Sequence, residues 1–183
     1  MKKLFNYLFF ILFCGTSLSF NAQSKSAAVL SVYTQSAKIS PEMAESVLRV
    51  EMTKTEQFNV IDKLDMIEIL EENKIDVSNC YGKKCLLSVG KSAGVDKVIT
   101  GSIENLGKKI VVTVKILDVA SESYDKVAIE EFINLDSEIQ SMVKIVVNKA
   151  LGIENSQEIL NTLVYPFHRV VFLDLIEKVS RFV

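Results

Sequence analysis

The residues of this chain that could do chemistry are two cysteines, one histidine, one glycine–lysine–serine run and two pairs of adjacent glutamates. Cys80 and Cys85 have four residues between them. A thioredoxin-like redox site places two residues between its cysteines, so this spacing counts against one. Structural zinc usually takes four protein ligands, and His168, the single histidine, would add only one to the two thiolates. In an oxidising compartment an even, closely spaced pair reads best as a disulfide, Cys80 to Cys85. Closing so short a loop contributes no more than about 2–3 kcal/mol. A Ser–His–Asp site would have to be built on His168, which lies beside Pro166 and far from the other motifs. Gly90-Lys91-Ser92 resembles the end of a phosphate-binding loop, but the glycine needed five residues before Gly90 is Cys85. Glu71 and Glu72, and Glu130 and Glu131, are neighbours, and neighbouring side chains point to different sides of a helix or strand. They read as solvated surface. These residues imply a chain without enzymatic activity, cofactor or metal.

The elements that must position these groups follow from periodicity and capping. Residues 27–33 are an apolar run suited to a buried strand. Ser40-Pro41-Glu42 is a helix start: a capping hydroxyl, a proline at the first helical position and an acid that complements the helix dipole. Ala44, Val47, Leu48 and Glu51 follow it towards Lys54. A second strand covers 58–61. Asp62 then caps a helix, with Asp65 three residues on in a capping-box-like position and Leu64, Ile67 and Leu70 as the expected apolar face. A third helix covers 83–93, with Leu86, Val89 and Ala93 on one side and Gly94 at its stop. Strands 97–104 and 110–117 flank a turn at 105–108, and the second alternates with the period of two expected of a sheet with one core face. Residues 124–132 form a third, more polar strand that suits a sheet edge. Asp136 is the expected cap of a last helix carrying Ile139, Met142, Val143, Val146 and Ala150 inward, and Gly152 ends it.

The resulting order, β-α-β-α-α-β-β-β-α, predicts an α/β (α+β) domain: a mixed β-sheet flanked by helices, with a C-terminal helical tail. Three segments are expected: a signal peptide over 1–22, the α/β domain over 23–152, and the tail over 153–183. Lys2 and Lys3 precede an apolar run at 4–13, and Gly15, Thr16, Ser17 and Ser19 lead to Ala22, the order a signal peptidase needs. The run is about half the roughly 20 residues of a spanning helix, so cleavage is expected rather than an uncleaved anchor. Cys14 follows Phe13, a poor context for lipidation. Removing Lys2 and Lys3 leaves 19 of the 21 basic residues against 23 acidic ones, a charge that offers nucleic acid no attraction. In the tail, Phe172, Ile176, Val179 and Phe182 form one stripe over 167–183, which suits docking on the domain, a partner, or peripheral contact with a membrane surface.

The stretch Phe58-Asn59-Val60-Ile61-Asp62-Lys63 followed by Met66-Ile67-Glu68-Ile69-Leu70-Glu71-Glu72 resembles a recurrent pattern of envelope proteins. So do Val89-Gly90-Lys91-Ser92-Ala93-Gly94-Val95-Asp96, with Gly101 in the strand that follows, and Ile116-Leu117-Asp118-Val119. These pieces are similar to the periplasmic domain of the curli-secretion lipoproteins (CsgG type), the activators of penicillin-binding proteins (LpoB type) and the amino-terminal domain of the TolB type. The resemblance covers about residues 27–152 and implies a scaffold in which Asp62, Gly94, Gly101 and Asp118 are structural. At Gly101 it implies a crowded or sharply bent backbone. The first strand lacks the Pro-Phe ending often seen, and Asp118-Val119-Ala120-Ser121-Glu122 stands where the pattern has an Asp-x-x-Thr-Gly turn. No alternating segment is long enough for the membrane hairpins of the curli pore. The expectation is an exported protein of the periplasm or cell envelope of a diderm bacterium, non-enzymatic, contacting an envelope protein partner. An accessory subunit of an outer-membrane assembly and a hydrolase are the rival readings.

Overall fold

A computed structural model describes residues 24–78 and 80–153. The expected leader with Cys14, and the tail with His168 and the 167–183 stripe, lie outside the described residues. Ten residues form β1 (Ser26–Gln35), whose consecutive Ala27–Leu30 are all buried because both faces of the sheet are covered there. The next helix, α1 (Pro41–Lys54), starts where the sequence places it: Ser40 Oγ accepts from Met43 N at 3.2 Å, a cap worth about 1 kcal/mol. β2 is short (Asn59–Val60), and α2 (Lys63–Glu72) follows, with Asp62 accepting from Leu64 N at 2.8 Å. After a connection come α3 (Lys83–Ser92), β3 (Lys97–Asn105), β4 (Lys109–Asp118) and β5 (Ser123–Ile133). A single 3₁₀ turn, Asp136–Glu138, leads into α4 (Ile139–Leu151), which ends at Gly152.

The element order is the expected one, and the sheet is mixed. Its strands lie in the order β2-β1-β3-β4-β5. β1 is parallel to β2 and β3, as helix-linked strands must be, while β3, β4 and β5 form an antiparallel meander. The strand read as polar, β5, is indeed the edge. Side chains alternate between two faces, and each face has its own core. On one, α1 contributes Ala44, Leu48 and Met52 and α4 contributes Ile139, Met142, Val143, Val146 and Val147, packed against Val29, Ile99, Ile103, Ile110, Val112, Val114 and Ile116. Each such buried side chain contributes about 1.5–3 kcal/mol. On the other face, Met66 of α2 and Leu86, Leu87 and Val89 of α3 pack with Ala28, Leu30, Val98 and Leu117. Arg49 ties α1 to the sheet: its guanidinium donates to Val29 O and Ile61 O at 2.7 Å each and to Glu45 at 2.8 Å.

Two local expectations are corrected. On α2, Leu64 and Ile67 face solvent at 70% and 41% exposure, and Met66 is the buried residue, supported by Ile69 and Leu70. The helix is short, and its orientation follows the space between α3 and β1 rather than its own best apolar stripe. Asp136 does not cap α4. It opens the 3₁₀ turn and pairs with Lys38 at 2.9 Å, and Glu138 occupies the cap position without a capping bond to the backbone, its carboxylate accepting from Ser141 Oγ at 3.2 Å instead.

Candidate interaction surface

The second face of the sheet is only half covered. The core beneath α2 and α3 reaches Leu117 on β4 and goes no further. Beyond it, the side chains sharing that face are read from the register: Ser102 opposite Thr113, Thr113 opposite Ile129, Lys115 opposite Val127, and Lys109 opposite Ile133. On the strand pair β4–β5 the alternation splits the residues cleanly. Val112, Val114, Ala128 and Phe132 turn into the first core, while Val127, Ile129 and Ile133 stand 51%, 54% and 75% exposed. Among the described residues nothing packs on them. The surface is therefore a strip of β-branched side chains over β4 and β5, interrupted between Ile129 and Ile133 by Glu131, which pairs with Lys109, and flanked by Lys115, whose ammonium sits 5.8 Å from the Tyr124 ring centroid.

Two structural devices fix the strands beside the strip. β3 and β4 approach closely at Gly101, where a Cβ would meet Thr113 O at 2.2 Å. The crowding that the resemblance implies at this glycine is thus a backbone-to-backbone contact. At one end, Lys97 is buried with its ammonium donating to Asp118 and to Asp125 at 2.7 Å each. This triad joins the start of β3 to the end of β4 and the start of β5. Asp118 also accepts from Ser121 N at 2.7 Å, shaping the turn between β4 and β5. The Lys97 hydrogen bond, then the Ser121 bond, hold the Asp118 carboxyl far below the usual carboxylate range, and Lys97 likewise lowers Asp125. Burial pulls the Lys97 ammonium down, but its bonds to Asp118 and Asp125 outweigh burial, so its pKa is raised. All three groups are charged at neutral pH, in a permanent ion cluster rather than an acid–base pair.

Cys80 and Cys85 lie on the covered half. Their sulfurs are bonded, with the Cα atoms 5.5 Å apart, and Cys80 is buried in the core beneath α2 and α3. The link joins the connection after α2 to the first turn of α3, and it places Tyr81 edge-on to Tyr33, ring centroids 5.4 Å apart. That pair marks the border between covered and open sheet. Gly90 lies within α3, where a Cβ would meet Val98 Cγ2 at 2.6 Å, so the Gly90-Lys91-Ser92 run is a helix-packing position and not a phosphate loop. Lys91 pairs instead with Glu122 at 2.6 Å. Gly94 follows α3 with φ +63°. Of the adjacent glutamates, Glu130 pairs with Lys149 and Glu131 with Lys109, on opposite faces of β5. The structure thus places Asp118 at the end of β4 in the ion cluster and Gly101 in β3 against Thr113 O, and leaves Asp62 and Gly94 at helix ends. Lys97 and Asp125 were missed by sequence reasoning. The only available signal was a lysine at the first position of a buried strand, which demands a counter-charge.

Among the described residues no three His, Cys, Asp or Glu side chains are grouped to hold a metal ion, and no helix is long and apolar enough to cross a membrane. No family model and no curated protein matches the sequence. Solved structures do match. The chain is similar to the C-terminal domain of LpoB from Salmonella enterica, with 10% identity, 61% of this chain and 84% of that chain covered, and a TM-score of 0.53. The Escherichia coli LpoB C-terminal domain gives 11%, 61%, 84% and 0.52. A lipoprotein from Neisseria meningitidis gives 12%, 68%, 95% and 0.50. At such identities the likeness establishes the fold, so the LpoB-type scaffold expected from the sequence is the one observed. These structures do not speak for the curli-secretion type.

Proposed function

We propose that this chain is an exported, non-enzymatic protein of the periplasm or cell envelope that works by contacting another protein through the open strip of β4 and β5. The observation that carries this reading is the exposure of Val127, Ile129 and Ile133 on one sheet face whose other half is fully packed. Exposed β-branched side chains on a rigid sheet, interspersed with the Lys109–Glu131 ion pair and flanked by Lys115, have the mixed apolar and charged character of a protein-contact surface. The leader-like residues 1–22 and the Cys80–Cys85 link support a place outside the cytoplasm, and the LpoB-type scaffold is in keeping with it. The rigid ion cluster of Lys97, Asp118 and Asp125 supports a scaffolding role for that end of the sheet, since none of the three changes charge near neutral pH.

The test is photo-crosslinking in cells. A photoreactive side chain at Ser102 or Ile129, on the open face, is expected to give an adduct heavier than two copies of the chain or of a distinct mass that identifies a second protein. The same group at Glu68, exposed on α2, serves as the control and is expected to give none. Equal crosslinking from both faces, or none from either, contradicts the reading. Turnover of an ester, peptide or glycan by the purified chain would replace it with the hydrolase alternative.

A further inference from the structure

β5 is an edge strand of 11 residues, regularly paired from Lys126 to Ile133 and irregular at Asp125, with no strand on its outer side among the described residues. Most edge strands are kept short or bent, because a long one offers a row of unpaired amides to any passing strand. The phase of those amides can be read. Asn134 N donates to Lys108 O at 3.0 Å, and the register pairs Lys109 with Ile133 and Ile110 with Phe132. Hydrogen-bonded positions alternate along an antiparallel pair, so Phe132, Glu130 and Ala128 direct their amides to β4. Glu131, Ile129 and Val127 direct theirs outward.

We propose that two copies of this chain pair antiparallel through β5, about a two-fold axis passing at Ala128. In that register Val127 faces Ile129 of the second copy and Ile129 faces its Val127. Both are outward-bonding positions, so each of these two pairs exchanges two backbone hydrogen bonds. The side chains of the same four residues meet on the open face as two β-branched cross-strand pairs. Lys126 falls opposite Glu130 of the second copy, twice by symmetry. Lys126 is exposed and forms no ion pair among the described residues, whereas the Glu130 carboxylate, bonded to Lys149, keeps acceptor capacity. Shifting the register by two residues in one direction sets Lys126 against Phe132, and in the other against Ala128. A shift of four towards the C-terminus sets Glu130 against Glu130. Charge complementarity therefore selects the axis at Ala128. A lysine on an edge ordinarily deters pairing; here the second copy answers it, and unrelated strands do not. Regular pairing ends at Lys126, where the register shifts at Asp125, and the nearest like charges beyond it, Asp125 and Glu131, are each paired within their own copy to Lys97 and Lys109. Pairing at the edge leaves the open strip uncovered and joins two such strips into one surface, so this inference stands independently of the proposed partner.

The test uses the full chain and sedimentation velocity over a range of concentrations. Wild-type protein is expected to shift from one to two copies as concentration rises. Lys126→Glu alone and Glu130→Lys alone are each expected to remain monomeric, since each sets like charges opposite one another. A mixture of the two variants is expected to recover the two-copy species, because every facing pair is then of opposite sign, and the double variant is expected to recover it as well. The recovery excludes misfolding as the reason for the single-variant loss. A wild-type chain that stays monomeric at all concentrations overturns the proposal. So does a dimer untouched by either single substitution, which would place the contact elsewhere. A photoreactive group at Val127 that crosslinks only within one chain would also overturn it, by assigning the edge to residues 154–183 or another segment of the same copy.

Discussion

Replacing Lys97 by methionine probes the best-defined electrostatic feature of the fold. Methionine keeps the length of the stem, so the change removes the charge and its hydrogen bonds more than it removes packing. Lys97 is 3% exposed, and breaking a buried pair by deleting one partner costs about 3–5 kcal/mol when the orphaned charge is sealed from water. Here the side chains of Asp118 and Asp125 are 21% and 45% exposed, so water relieves part of that penalty. Asp118 also keeps its bond from Ser121 N. The expected loss is therefore below the fully buried range, about 2–3 kcal/mol at pH 7. The pH dependence follows from the direction of the shifts. Both carboxylates have lowered pKa values in the folded state, so their contribution is complete above the unfolded value, near 3.9. It is lost as pH falls from there towards the folded values, by about 1.4 kcal/mol per pH unit for each fully coupled carboxylate. The stability gap between wild type and Lys97→Met should therefore be constant from pH 5 to 8 and narrow by about 1–2 kcal/mol at pH 3. Urea unfolding followed by circular dichroism at both pH values measures it. Equal midpoints at pH 7, or a gap as wide at pH 3 as at pH 7, would refute the role given to the triad.

Other substitutions separate the remaining contributions. Gly101→Ala sets a Cβ 2.2 Å from Thr113 O, a backbone clash that only strand displacement relieves; the expected cost is about 3 kcal/mol or more, read as a drop in melting temperature. Reduction by dithiothreitol should lower stability by about 2 kcal/mol, the loop-closure value for so short a loop, without changing the far-ultraviolet spectrum; total unfolding on reduction would show that the link does more than staple α3. Leu64→Lys should change stability by less than about 0.5 kcal/mol, because Leu64 is 70% exposed. Ser40→Ala should cost about 1 kcal/mol, and a null effect in thermal unfolding would contradict the cap.

The local rules carried most of the architecture. Ser40-Pro41 and Asp62 begin helices because their chemistry acts within three residues, and the alternation over 110–117 exposes a core face whatever its partner. What acts across the chain stayed hidden. Lys97 lies 21 residues from Asp118 and 28 from Asp125, and nothing local marks either carboxylate as its counter-ion. Of the stripe Leu64, Ile67 and Leu70 only Leu70 packs on the core, because tertiary packing turned the ten-residue helix towards Met66 and Ile69. Asp136 had the composition of a cap, but the chain turned once more before α4 began. The open strip was half legible: the polarity of 124–132 marked an edge, but which sheet face lacks a helix depends on where α2 and α3 stop.

In the proposed function the uncovered face of β4 and β5 makes the protein's contact. The most direct test places a photoreactive side chain at Ser102 in the presence and absence of Ile129→Asp, which adds a charge to the middle of the strip. Ile129 is 54% exposed, so the melting temperature should hold within a few degrees. The adduct to a second protein is expected to disappear while the folded chain persists. An undiminished adduct in a stable Ile129→Asp chain would contradict it.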